Sequence, residues 1–486
     1  MHSRSNVFRA LIVFVTTLVF ALPASSVHAA SWAPVVDLSQ DNMGLNVVDS
    51  FASNGESTSR IMTLSKDKIQ GMPNEYLCNK SFSGNCDPTA HHAEAFEILP
   101  PCTTAAQENC IDSISLALDK GTFESAKYLE NLGGASLAAS PKYGLPAGST
   151  PSLWSSGVSN AGGTNTYEAF VQMHYSWISG GFKPDSLVAT LEPYSVTTGD
   201  FRPQADTQVT LPNGREAISG DVPNFNCVWT DLGLCGIRED FASGTKVKMS
   251  VRLDSRLGGW FKGRLAHPTF NVSHLSSRNN LVTISAEPVD VPQISLNVSK
   301  WDASPGIQKF FSSMPGYAGG AVNTRADYDN AFGAIEAFRQ YSKDTAQGVI
   351  KTWSFGSFGS ANNPCLRDSS KLLGLVTTNA TVYNGTAPDF VDGQLSYSVS
   401  GYHLLPDGSL ALGSYDLIMR KSVAKCLYHL TSAAFSATVT VSGEGGNPNF
   451  ATTEFVQQGI WDRFSAYGFT FSRHRILVKL TQGKNH

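Results

Sequence analysis

The stretch from Lys246 to Leu253 constrains the fold most. It reads Lys-Val-Lys-Met-Ser-Val-Arg-Leu, a strict polar/apolar alternation. That period of two belongs to a strand with one wet face and one buried face. Gly258-Gly259 then marks a turn, and Trp260-Phe261 opens a second apolar piece. Phe270-Asn271-Val272, Leu281 to Ile284 and Ile294 to Val298 follow, with Pro, Gly, Asn and Ser between them. Several short strands separated by turn residues predict an antiparallel sandwich or barrel.

The same texture recurs on both sides. Thr166 to Ile178 reads as a strand, with Leu187 to Val196 as its neighbour. Gln394 to Ser400 and Ser436 to Ser442 alternate again, and Phe469 and Phe471 are expected to pair with Ile476, Val478 and Leu480. Pro406-Asp407-Gly408 is a hairpin-type turn. One segment breaks the pattern: Thr324 to Lys343 places Tyr328, Ala331, Phe332, Ile335 and Phe338 at helical spacing. The expected class is therefore mainly β, with tandem antiparallel β-sandwich domains and one amphipathic helix between the middle and C-terminal units. The expected division is a leader over 1–29, a disulfide-clipped β/irregular domain over 30–185 and a middle sandwich over 186–303. A helical connector over 304–374 and a C-terminal sandwich over 375–486 complete it.

Cysteines sharpen the picture. Cys78 and Cys86, Cys102 and Cys110, and Cys227 and Cys235 each stand eight positions apart, which leaves Cys365 with Cys426. Three equal local spacings predict neighbour pairing in an oxidising compartment. The N-terminus points to that compartment. Arg4 and Arg9 precede the apolar run Ala10 to Leu22, and Val27-His28-Ala29 offers small residues for cleavage. This is the pattern of a secretory signal peptide. Removing Arg4 and Arg9 with it takes the formal charge from −4 to −6. A mild acidic surplus is unlike the basic face of a nucleic-acid binder. No later stretch reaches the roughly 20 apolar residues of a spanning helix.

Motifs for chemistry are scarce. There is no nucleophile elbow, no H-E-x-x-H and no phosphate-cradling loop, so no catalytic residue and no cofactor is assigned. His91, His92 and Glu94 form the best metal-ligand candidate by residue type and spacing. Trp154 and Trp229 lie in loop-like sequence, Trp229 between Cys227 and Cys235, and are candidates for stacking on a ligand ring. Trp177, Trp260, Trp301, Trp353 and Trp461 are expected in cores or domain junctions.

Gly259-Trp260-Phe261-Lys262-Gly263-Arg264, Gly413-Ser414-Tyr415-Asp416-Leu417, Lys425-Cys426-Leu427-Tyr428 and Gly468-Phe469-Thr470-Phe471-Ser472 resemble patterns in large exported proteins of actinobacteria. The resemblance covers roughly the last 300 residues. It implies export and a β architecture and carries no catalytic residues. Two function classes follow. The first is a secreted or envelope-associated non-enzymatic β protein, an adhesion, scaffold or binding module whose partner is a cell-surface glycan or protein. The second is a secreted hydrolase acting on glycans.

Overall fold

A computed structural model gives the architecture. It describes residues 44–46, 59–69, 72–132, 136–197, 207–210, 213–219, 228–229, 235–293, 295–297, 321–322, 332, 335–336, 339, 342–358, 363–368, 370–385, 387–431, 435–443, 448–471 and 474–482. The expected leader lies outside these residues, as does most of Thr324 to Lys343. Of that segment, Phe332, Ile335, Glu336 and Arg339 are described and helical, and Phe332 and Ile335 are fully buried.

The protein is mainly β, as the alternating patterns predict. The strands that matter here are β1 (Arg60–Ile69), β2 (Met72–Leu77), β3 (His92–Ile98), β4 (Cys110–Leu118), β5 (Thr166–Ile178), β6 (Gly181–Thr197), β7 (Thr245–Asp254), β8 (Gly259–Arg264), β9 (Ala266–Ser276) and β10 (Asn279–Glu287). They continue with β11 (Ser354–Phe358), β12 (Leu372–Thr378), β13 (Gln394–Ser400) and β14 (Leu412–Arg420). Helix α1 (Lys421–Tyr428) follows, then β15 (Phe435–Ser442), β16 (Thr452–Gln458), β17 (Trp461–Thr470) and β18 (His474–Gln482).

One large sheet runs through the molecule in the order β2-β1-β3-β5-β6-β11-β8-β12-β14-β17-β16. A five-stranded sheet, β9-β10-β7-β4 with Glu124–Ser125 at its edge, covers one face. A seven-stranded sheet built around β13, β18 and β15 covers the other face. Two cores result. Ala95, Val171, Met173 and Ala189 meet Val247, Met249, Val251 and Ile284 in the first. Leu417, Phe464 and Ala466 meet Tyr397, Val399, Ile476 and Val478 in the second.

The central strands face both cores. On β8, Phe261 enters the first core and Trp260 the second; on β12, Leu375 enters the first and Val376 the second. That is why β12, Leu-Leu-Gly-Leu-Val-Thr-Thr, is buried at every position and lacks alternation. β8 and β12 run parallel, with Phe261 opposite Leu375. Gly374 is required at this join. A Cβ there would collide with the Ile418 carbonyl oxygen on one side and the Trp260 ring on the other.

One local expectation needs correction. Phe469 and Phe471 do not pair with Ile476, Val478 and Leu480. β17 pairs with β14 and β16 in the large sheet, while β18 pairs with β13 and β15 in the seven-stranded sheet. Alternation marks a strand's buried face but not its neighbour. The segment around Cys426 is a short helix, additional to the one expected between the middle and C-terminal units. α1 buries Val423, Ala424 and Leu427 on one face. The Tyr428 hydroxyl donates to the Val478 carbonyl at 2.6 Å and accepts from the Leu395 amide at 3.1 Å, which fastens α1 to the seven-stranded sheet.

Three of the expected disulfides are present: Cys78–Cys86, Cys102–Cys110 and Cys365–Cys426. For the fourth expected pair, Cys227 lies outside the described residues. Among the described residues no helix is long and apolar enough to cross a membrane. Loop-closure entropy separates the three bridges. The Cys365–Cys426 loop spans 61 positions and the Cys102–Cys110 loop 8. In the chain-entropy model these contribute about 4 and about 2.5 kcal/mol. Replacing Cys365 and Cys426 by Ala is therefore expected to lower Tm more than replacing Cys102 and Cys110. Scanning calorimetry on the two double variants checks this, and an equal or reversed order refutes it.

Candidate functional site

The sequence-predicted residues separate in space. Trp154 is buried in the first core, where its indole Nε1 donates to Ser152 Oγ at 2.8 Å and its ring meets Tyr128 edge-on. A buried ring offers no face to a ligand. The Trp229 backbone lies in a short strand paired with Cys235, and its side chain is outside the described residues. His92 and Glu94 share the outer face of β3, with Nε2 and Oε1 2.8 Å apart. His91 precedes the strand, and its ring lies 6.4 Å from that of Tyr76. Among the described residues no group of three His, Cys, Asp or Glu side chains is arranged to hold a metal ion.

Glu94 instead joins a line of charges that crosses three strands. His174 on β5 stands 3.6 Å from Glu94 and 3.2 Å from Asp185 on β6. Asp185 sits where the β5–β6 register shifts, between Pro184 and Ser186. Such an irregularity re-aims a side chain. Burial of the His174 ring works against its charge, but the contacts with Asp185 and Glu94 outweigh it and push its pKa up to about 9. The imidazole is therefore a cation at neutral pH. A cationic imidazole cannot ligate a metal or act as a base without first losing its proton. The line Asp185–His174–Glu94 is an electrostatic clasp between strands, with His92 hydrogen-bonded to Glu94 at its end.

The opposite face of β3 carries Glu97, fully buried and opposite Met173. Ser59 and Gly148 crowd it: a Cβ on Gly148 would collide with Glu97 Oε2. Burial pushes this carboxyl up to about 9, so it is neutral at pH 7. In the second half of the large sheet, Asp416 on β14 is also buried. Its Oδ1 accepts from Ser465 Oγ at 2.6 Å and from the Tyr467 hydroxyl, and His267 lies against the Tyr467 ring. Burial raises the Asp416 pKa, and the two hydroxyls oppose that rise.

A cluster of half-buried aromatic rings packs against the edge of the first core. At the tip of the β5–β6 hairpin, Trp177 and Phe182 face each other across the ladder with ring centroids 5.2 Å apart. Phe82, from the loop closed by Cys78–Cys86, lies 4.5 Å from Tyr143. Tyr143 lies 5.6 Å from Trp177 and carries Lys142 Nζ 4.8 Å above its own ring. Phe182 is buried, while Phe82, Tyr143 and Trp177 each keep part of their surface in solvent. Sequence reasoning assigns Trp177 to a core and passes over Phe82 and His174. The one signal for Phe82 is an aromatic residue inside a short disulfide loop.

Two buried groups give the stability a definite pH dependence. Unfolded His174 releases its proton near 6.5 while the folded form holds it to about 9. Its stabilisation is thus complete below 6.5 and lost as pH rises through about 9. Unfolded Glu97 ionises near 4.5 while the folded form stays neutral to about 9. Glu97 therefore makes unfolding easier with every step above 4.5 until it too ionises. Relative to the parent, Glu97→Gln is expected to gain stability as pH rises from 4.5, and His174→Gln to lose its disadvantage between 6.5 and 9. Urea midpoints over this range check both. A constant difference from the parent in either variant refutes that assignment.

No protein-family model matches the chain, and no curated protein is significantly similar to it.

Proposed function

We propose that this chain is an exported or envelope-associated, non-catalytic β scaffold that binds glycan through the aromatic cluster at the β5–β6 tip. The carrying observation is convergence. Phe82, Tyr143 and Trp177 come from three separate segments, meet at one place and are each only partly buried. Aromatic rings offer a large rigid contact at low entropic cost, with an apolar face for the C–H surface of a sugar. Lys142 at the rim adds a hydrogen-bond donor for ring hydroxyls. The Cys78–Cys86 bridge restrains the Phe82 loop before any ligand arrives, which lowers the cost of ordering it. Disulfides persist in oxidising compartments, in keeping with the expected leader.

The hydrolase alternative needs a carboxylate pair open to substrate. Glu168 and Glu192 stand directly opposite each other across β5 and β6, but each is only 1% exposed. That burial favours the binding reading.

Calorimetric titration with cello- and chito-oligosaccharides tests it. Trp177→Ala and Phe82→Ala are each expected to weaken binding about tenfold, ~1.4 kcal/mol. His174→Gln, on the other face of β5, is expected to leave binding unchanged. Failure of the parent protein to bind any glycan of the panel refutes the proposal, as does binding that is indifferent to Trp177.

A further inference from the structure

The edges of the sheets are not treated alike. At one end of the large sheet β2 carries Pro73, and the β1–β2 register is broken between Leu64 and Lys68. A neighbouring hairpin also occupies that edge. Gln208 accepts from the Leu77 amide at 2.9 Å and donates to the Glu75 carbonyl at 2.8 Å. Arg215 donates to the Pro73 carbonyl at 3.3 Å. The outer strand of the five-stranded sheet, β9, holds Pro268 and two register shifts. Prolines, bulges and covers are the usual protections against pairing with another chain.

β16, at the opposite end of the large sheet, has none of them among the described residues. It reads Thr-Thr-Glu-Phe-Val-Gln-Gln, with no proline, glycine or lysine. Its register with β17 is unbroken from Thr452 to Gln458. Among the described residues no strand pairs with its outer side. Its one charge, Glu454, is already matched by Arg463 on β17. Two large apolar side chains stand in solvent just beyond its ends: Phe450, 95% exposed, and Ile460, 50% exposed.

We infer that β16 is a self-association edge, which a second copy of this chain joins antiparallel about Phe455. The spacing of the exposed residues selects this partner and register. Pairing about Phe455 sets Phe455 against its own copy, Thr452 against the second copy's Gln458, and Phe450 against the second copy's Ile460. Both exposed apolar residues are then covered at once, twice over, by a two-fold operation. Within the ladder, directly opposed side chains such as Thr452 and the second copy's Gln458 have Cβ atoms about 4.5–5.5 Å apart, and Phe450 and the turn residue Ile460, just outside the strand, are brought to the same ends of the pairing. Glu454 falls opposite the second copy's Val456, so no like charges are directly opposed. The result is one sheet continuous through two molecules, with the protected β2 edges at its outer ends.

The test is the mass of the full mature chain by sedimentation equilibrium across a micromolar loading series. A monomer–dimer equilibrium is expected. Thr452 and Gln458 are both exposed, so charges there are tolerated by the fold. The double variant Thr452→Lys, Gln458→Lys opposes like charges twice across the proposed pairing and is expected to weaken dimerisation at least tenfold. Thr452→Lys with Gln458→Glu opposes unlike charges at the same two places and is expected to restore it. Far-UV circular dichroism checks that both variants are folded. A parent chain that stays monomeric overturns the inference. So does a dimer that the double-lysine variant leaves intact, or a folded Lys/Glu variant that fails to recover the dimer.

Discussion

The parallel pairing of β8 with β12 is the contact on which the rest of the structure depends. Every other neighbouring pair along the main path of the large sheet is antiparallel. Side chains alternate across a strand, so this one join sends Trp260 and Val376 into one core and Phe261 and Leu375 into the other. Each core thereby gains a wall from the same few residues. Parallel neighbours cannot be joined by a tight hairpin and need a long crossover. Here the chain leaves β8, builds β9 and β10 of the covering sheet, and returns through β11, which lines the other side of β8. The excursion supplies two of the five strands in one of the layers that the join needs covered.

Charge inside this β body is handled in two opposite ways. His174 and Glu97 lie on adjacent strands and both hold a proton to about pH 9. The imidazole does so because two carboxylates face it and keep it charged. The carboxyl does so because burial denies it water and keeps it neutral. The same pKa thus marks a cation in one case and a neutral acid in the other. Neither state suits a catalytic base at neutral pH.

Much of the fold is legible in the sequence where one face of a strand meets water. Gln394–Ser400 has the bounds its alternation implies, and the equal cysteine spacings give two local bridges directly. Legibility fails where both faces are buried, because Leu372–Thr378 then carries no period. It fails again at α1. That helix starts straight from a strand at Arg420, with no side chain capping it, so no start signal precedes Lys421. The candidate site is less legible still. An outward His on a strand looks the same whether solvated or clasped, and Asp185 reaches His174 through a register shift that leaves no mark in the sequence. Trp154 misleads for the converse reason: a tryptophan among glycines and serines reads as exposed, yet its strand Ser152–Ser155 is buried over its first three residues.

The large sheet also dictates an order of events when the chain folds. Its hairpins β5–β6 and β16–β17 close over a turn of a few residues, but the ladder between β6 and β11 joins groups such as Leu187 and Ser357, 170 positions apart. Closing a loop of that size costs entropy before any long-range contact repays it. The local hairpins therefore have an entropic head start on the seam. Until the seam closes, β6, β8 and β12 present open edges with apolar side chains on both faces. A chain at that stage is at its most prone to pair with the wrong neighbour.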